Sequence, residues 1–251
     1  MTDQHRTCLA VVLAAGQGQR MRSNRPKVLH EIAGRSLVGH ALAALTAAGV
    51  DRIAVVVGPD REDVAREARR IAPEARIFVQ ADRLGTAHAV LQARAELEKG
   101  ADDVLVAFAD TPLIEPATYR ALRPALADAA RVAALGFEAS DPTGYGRFLL
   151  EGEALVGIVE HKDASFAQRA VRTCNAGLMA LAGAHALELL DAVGDDNAQR
   201  EFYLTDVVAG AVARGLTARA LLAPETEVMG VNDRVQLAAA ENIAQGRLRE
   251  A

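Results

Sequence analysis

An α/β protein is predicted for this chain: a Rossmann-like mixed, mainly parallel sheet flanked by helices, followed by a β-rich lobe. Through the first half, short apolar runs alternate with amphipathic helical patterns, an order that implies parallel strands joined by crossover helices. After Arg131 the texture changes to shorter strand-like runs divided by turn residues. Gly16 and Asp110 each follow an apolar run, and in such sheets ligands bind beyond the carboxyl ends of the strands.

The first run, CLAVVL (residues 8–13), suits a strand buried on both faces. Further strands are expected over 53–57, 76–79 and 104–108, with helices over 37–48, 61–71, 86–97 and 116–127. Beyond these, 132–137, 146–150, 155–160 and 172–180 read as short strands, some antiparallel, around turns such as Asp141-Pro142-Thr143-Gly144. Helices are expected over 184–190 and 205–214, and a short strand over 218–222. An apolar strand-like stretch, 227–233, leads into an Ala-rich helix over 234–251. No internal repeat or low-complexity linker interrupts this order.

At 251 residues the chain suits one large α/β domain, or a domain with a small appendage. Its 51% hydrophobic content excludes disorder, and its net charge of −5 argues against a nucleic-acid partner. Cys8 and Cys174 lie in apolar runs and read as buried thiols, not a disulfide; no Cys/His spacing fits zinc. No signal peptide or membrane-length apolar run is visible, so a cytoplasmic protein without a membrane partner is expected.

The stretch LAAGQGQRMRSNRPK (residues 13–27) follows the first strand with two glycines, Gly16 and Gly18, and then four cations, Arg20, Arg22, Arg25 and Lys27. Glycines let backbone N–H groups turn to a ligand, so the loop suits a polyphosphate. It lacks the Gly-Lys-Ser/Thr of a Walker A loop and the third glycine of a dinucleotide fingerprint, and a lone Gly-x-Gly fits a structural turn equally well. Pro26 holds Arg25 extended and thereby aims Lys27 back over the mouth of the loop.

Asp110, at the end of DVLVAFAD, suits Mg²⁺, which takes one or two protein oxygens plus substrate phosphates, or else a cap on the following turn. Asn232 offers a second oxygen near the end of the late apolar stretch. Gln80 carries a donor and an acceptor that match the edge of a uracil ring; Gly85 gives the backbone close access, and Thr86 suits a helix cap. His88, inside the helical pattern, reads as structural, and no histidine pairs with a Ser or Cys nucleophile motif. In the second part, Gly146, Glu160 and Asn175 sit at strand ends and suit sugar hydroxyls and an N-acetyl amide, or ordinary turns.

Seven ordered motifs run almost end to end: LAAGQGQRMRSNRPKVLHEIAG, QADRLGTAHAV, DPTGYGRF, GIVEHKDA, NAGLM, EFYLTDVV and GVNDRVQL. Together they resemble the uridylyltransferase domain of the bifunctional N-acetylglucosamine-1-phosphate uridylyltransferase/glucosamine-1-phosphate acetyltransferase family, of the MobA-like NTP transferase type. The resemblance implies the nucleotide-diphospho-sugar transferase fold, with the sugar bound by the β-rich lobe. It implies a nucleotidyltransferase domain over 1–229, with a nucleotide half at about 1–130 and a sugar lobe at about 131–229, then a metal-site segment and helix over 230–251. By resemblance, Leu13, Ala14 and Gly16 contact the nucleotide, Arg20 and Lys27 its phosphates, and Gln80, Gly85 and Thr86 the uracil end. Asp110 and Asn232 bind Mg²⁺, while Gly146, Glu160, Asn175, Tyr203 and Thr205 line the sugar side.

The chain departs from the family pattern where Gln17 and Gln19 stand for Lys and Thr, Phe108-Ala109 for Tyr-Gly, Ala176 for Thr, and Arg200 for Gly. No hexapeptide-repeat β-helix follows Arg249, so acetyl transfer is not expected, and a monomer is, since that β-helix builds the family's trimer. The implied reaction makes UDP-N-acetylglucosamine and pyrophosphate, a step in cell-wall precursor synthesis, from UTP and N-acetylglucosamine 1-phosphate. The alternatives are a relative using another sugar 1-phosphate or dTTP, a molybdopterin-type nucleotidyltransferase, and a non-catalytic sugar-nucleotide sensor.

Overall fold

A computed structural model describes residues 6–250; residue 251 and residues 1–5, on which the expected outer boundaries fall, lie outside the described part. Strand β1 (Cys8–Ala14) is buried along its whole length, as a fully apolar run between two helical layers must be. A two-stranded ribbon, β2 (Glu31–Ile32) and β3 (Arg35–Ser36), precedes helix α1 (Leu37–Ala47), which Ser36 caps by accepting from the Gly39 amide at 3.1 Å. Next come β4 (Arg52–Val57), α2 (Glu62–Ile71), β5 (Arg76–Val79), α3 (Thr86–Leu91), α4 (Arg94–Leu97), β6 (Asp103–Phe108) and α5 (Pro116–Asp128). The second part holds β7 (Val132–Glu138), β8 (Arg147–Glu151), β9 (Ala154–Val159), α6 (Phe166–Arg169), β10 (Thr173–Ala182), α7 (Gly183–Asp191), α8 (Asp206–Ala213), β11 (Ala218–Leu222), α9 (Glu225–Val228) and α10 (Arg234–Glu250).

Nine strands form one continuous sheet in the order β5-β4-β1-β6-β10-β7-β11-β9-β8. Its first four strands are parallel, as the alternation predicts; β10 then runs antiparallel between β6 and β7, and β9 and β8 close the far edge antiparallel. Alternate residues of β1 point into two cores. Ala10 and Val12 pack with Leu42 of α1, Val64 of α2 and Leu122 of α5, whereas Leu9 and Val11 pack with Val90 of α3, Leu189 of α7 and Val207 of α8. Helix α10 lies over the ribbon, burying Ala240 and Ala244 against Ile32, Leu37, Leu113 and Val231. Cys8 and Cys174 are buried free thiols, as expected. Among the described residues no helix is long and apolar enough to cross a membrane.

Two local expectations need correction. The single helix expected over 86–97 breaks into α3 and α4: the Gln92 and Ala93 backbone N–H groups donate three residues back, to Ala89 O and Val90 O, and the His88 carbonyl accepts from the Gln92 side chain at 3.0 Å instead. The strand expected over 227–233 does not form. Glu225–Val228 is helical, and Glu227 is drawn off to accept from the Glu115 amide at 3.0 Å and the Thr118 hydroxyl. The remaining loop meets the sheet through the Val231 amide, which donates to Asp110 O at 2.8 Å, so Asn232 sits on a loop beside the end of β6 rather than on a strand.

Candidate active site

The ends of β1, β4, β5 and β6 open on the same edge of the sheet, and a cavity of about 280 Å³ lies there. Eight of the residues singled out from the sequence line it: Leu13, Ala14, Gly16, Lys27, Gln80, Gly85, Thr86 and Asp110.

Lys27 reaches this wall through the geometry of the glycine loop. Gly18 has a φ of +64°, and a Cβ there would run into the Lys27 side chain, so a glycine is required for the lysine to pass. Pro26 is extended, and a short 3-10 turn, Lys27–Leu29, follows it. The Lys27 ammonium is buried; it pairs with Asp110 Oδ2 and donates to Asn232 Oδ1 at 3.0 Å. Asn232 is itself fixed by its backbone N–H, which donates to Gln236 Oε1 at 2.8 Å at the start of α10. Two oxygens from separate parts of the chain thus converge on one cation.

At the other end, buried Gln80 donates from Nε2 to the Gly85 carbonyl at 3.1 Å and lies 3.1 Å from His88 Nδ1. Its side-chain oxygen has no described partner. His88 is held on its other side by Gln92, in keeping with a structural role. Gly85 has a φ of +118°, and a Cβ on it would stand 2.5 Å from the Phe202 carbonyl oxygen. That approach lets the Phe202 amide donate to Leu84 O at 2.7 Å and the Ala87 amide to Phe202 O at 2.9 Å. The Thr86 hydroxyl extends the same seam by accepting from the Leu204 amide at 2.9 Å. The expected cap role of Thr86 is therefore corrected: Gly85 precedes α3 without a side-chain cap, since the hydroxyl is engaged by Leu204.

Of the residues expected at the sugar, Gly146 lies between Glu160 and Asn175. A Cβ on it would be 3.4 Å from Glu160 Oε1 and 3.5 Å from Asn175 Cβ. The Asn175 amide donates to Gly146 O at 2.8 Å, and the Thr205 hydroxyl to Glu160 Oε1 at 3.1 Å. Tyr203 is buried and accepts from Gln199 Nε2 at 2.8 Å. Burial pushes the Glu160 carboxyl above the ordinary carboxylate range; the Thr205 hydroxyl opposes this, and Asp206 and Asp163 reinforce it. A raised folded-state pKa means the native protein holds this proton to higher pH than the unfolded chain, so stability falls as pH climbs from the unfolded value through the folded one. Glu160→Gln is expected to remove that decline, giving a higher melting temperature than the parent at pH 7 and an equal one near pH 4 in melts across that range.

Arg20 is placed elsewhere. It sits on a 3-10 turn, Gln19–Met21, and lines a separate surface depression with Arg22, Asp233 and Arg234. Arg234 ties this turn to α10, donating to the carbonyls of Met21 at 3.0 Å and Arg22 at 3.3 Å. Six further residues line the cavity without having been selected from the sequence: Ala15, Val28, Arg83, Ala89, Phe108 and Glu201. All six fall inside or beside noted segments, but Ala15, Arg83 and Glu201 lie on loops, which have no periodicity from which side-chain direction can be read. Arg200, beside Glu201, has a φ of +55°, which explains why glycine suits this position. Arg200→Gly is expected to stabilise the chain by about 1 kcal/mol, raising the melting midpoint by about 3 °C; a calorimetric scan checks it.

A family model described as the MobA-like NTP transferase domain matches residues 10–205. The protein named Bifunctional protein GlmU of Xanthobacter autotrophicus is 62% identical over 244 residues, covering 97% of this chain and 54% of the relative. Its counterpart in Azorhizobium caulinodans is 60% identical over 246 residues, 98% of this chain and 55% of the relative. The chain thus spans about half the length of the curated relatives it matches. A solved structure, the inositol-1-phosphate CTP transferase from T. maritima, superposes with a TM-score of 0.71 at 18% identity, over 95% of this chain and 97% of that one, and shows the same fold.

Proposed function

This chain belongs to the MobA-like NTP transferase domain family, and on that premise we propose that it transfers a uridylyl group from UTP to N-acetylglucosamine 1-phosphate. The products are UDP-N-acetylglucosamine and pyrophosphate. The observation that carries this reading is the pairing of Lys27, which also donates to Asn232, with Asp110 at one wall of a cavity whose other end holds Gln80 and Gly85. The family motifs in the sequence support the choice of sugar and nucleotide, and the curated relatives match almost the whole of this chain.

The donor set suits Mg²⁺. One carboxylate and one amide oxygen already surround a single cationic atom, and among the described residues no cluster of three or more His, Cys, Asp or Glu builds a closed cage. Mg²⁺ prefers such a sparse protein set, completed by water and substrate phosphates. Asp110 and Asn232 would hold it, and it would supply charge neutralisation to the substrate phosphates. Lys27 adds a second positive charge at the same place, and the Gly16–Gly18 turn offers backbone N–H groups to the triphosphate.

The nucleophile is a phosphate oxygen of the sugar 1-phosphate, largely dianionic at neutral pH because its second pKa is about 6. It forms a bond to the α-phosphorus of UTP as the bond from that phosphorus to the bridging oxygen breaks, and the electron pair leaves with pyrophosphate. No side chain need remove a proton, so the work of the chain is to align two anions and screen their repulsion. Glu160, Asn175, Thr205 and the Gly146 backbone are assigned to the sugar, and Gln80 to the base. The nucleotide half about 1–130, the sugar lobe about 131–229 and the metal-site segment 230–251 follow from the same reading.

Pyrophosphate release from a matrix of nucleoside triphosphates and sugar 1-phosphates tests it. Release should be fastest with UTP and N-acetylglucosamine 1-phosphate and should stop with chelator. A faster rate with dTTP or another sugar phosphate would reassign the substrates. Binding of UDP-N-acetylglucosamine without any release would make the protein a sensor.

A further inference from the structure

Two cationic side chains line the cavity, Lys27 and Arg83, and they are held very differently. The Lys27 charge is matched by Asp110 and shared with Asn232. Arg83 makes no ion pair among the described residues. Its guanidinium is tethered by one bond only, Nε donating to the Ala15 carbonyl at 3.1 Å, and Nη1 and Nη2 have no described acceptor. Gly58, after β4, leaves the space for this arrangement, because a Cβ there would stand 3.0 Å from Arg83 Nη2.

The tether fixes the guanidinium at the root of the glycine loop, whose own cavity-lining cation, Lys27, is already paired. Gln17 and Gln19 are neutral and occupied with each other at 2.7 Å, and Arg20 lies in its separate depression. The wall therefore has one cation already paired and one that makes no ion pair among the described residues. A triphosphate entering beside Gly16 presents several negative charges to a planar group with free donors, the pairing that a guanidinium forms best. We propose that Arg83 is a nucleotide-binding residue that grips the polyphosphate of the incoming nucleoside triphosphate and adds a cation free of any ion pair to the one that Lys27 supplies. This deepens the nucleotidyltransferase reading and rests on it for the identity of the nucleotide.

Titration calorimetry on the full chain tests the assignment, using uridine, UMP, UTP and inorganic tripolyphosphate against the parent, Arg83→Ala and Arg83→Lys. Arg83 is exposed, so both variants should melt close to the parent. Arg83→Ala should weaken UTP and tripolyphosphate by about tenfold to a hundredfold, weaken UMP less, and leave uridine unchanged. Arg83→Lys should fall between, keeping the charge but not the fork. Equal weakening of uridine and UTP would place Arg83 on the base or ribose and overturn the proposal, as would unchanged UTP affinity in Arg83→Ala. If the parent bound tripolyphosphate through Arg83 but not UTP, the substrate reading would fall and Arg83 would stand. If the parent bound neither, both would fall.

Discussion

Asp110→Asn is expected to lower the rate of pyrophosphate release by roughly a hundredfold or more, the scale seen when a preorganised charge contact is removed from a transition state. The substitution keeps the side chain's shape but deletes the charge that Lys27 and the assigned metal both require. Asn232 continues to accept from Lys27 at 3.0 Å, so the ammonium is not left bare. A stability cost of about 2 kcal/mol is therefore expected, well short of unfolding. Melting curves beside initial rates separate the two effects: a cooperative melt with collapsed turnover supports the role, and near-parental turnover at saturating Mg²⁺ removes Asp110 from the chemistry.

Gly85→Ala should be a severely damaging small change at the edge of the cavity. The residue combines a φ of +118° with a carbonyl oxygen 2.5 Å from where a Cβ would sit, and that oxygen belongs to backbone already hydrogen-bonded on both sides. Left-handed extended backbone costs about 1–3 kcal/mol for any residue but glycine, and the clash adds a similar amount. A loss of about 4 kcal/mol, near 10 °C in melting midpoint, is expected. Hydrogen exchange localises it: the Ala87 and Leu204 amides, which donate across this seam to Phe202 O and Thr86 Oγ1, should lose protection first. A variant that melts within about 2 °C of the parent and keeps both amides protected would show the seam to be dispensable.

The same seam shows where sequence reading stops. Leu84-Gly85-Thr86 and Phe202-Tyr203-Leu204 are each legible as motif pieces, but that Thr86 spends its hydroxyl on Leu204 depends on two segments 118 positions apart meeting. The late apolar stretch went astray for a related reason. Its residues carry strand-like hydrophobicity, but Pro224 precedes a helical turn and Glu227 is engaged by Glu115 and Thr118, 112 and 109 positions away. Arg20 illustrates the converse: its spacing from Gly16 suited a phosphate contact, yet the 3-10 turn that carries it lies against the start of α10.

By itself the sequence determined the alternation of strand and helix, the buried character of β1 and the location of Gly16 and Asp110 beyond strand ends. These follow from local chemistry, because hydrophobic period and glycine content act over a few neighbouring residues. Only the tertiary structure decided which charges would meet. Placing β1 beside β6 joins Lys27 to Asp110 across 83 positions and, through the loop before α10, to Asn232 across 205, while Arg83 and not Arg20 reaches the cavity. Pairing between distant side chains depends on strand order and loop path, and neither is written in the period of any one segment.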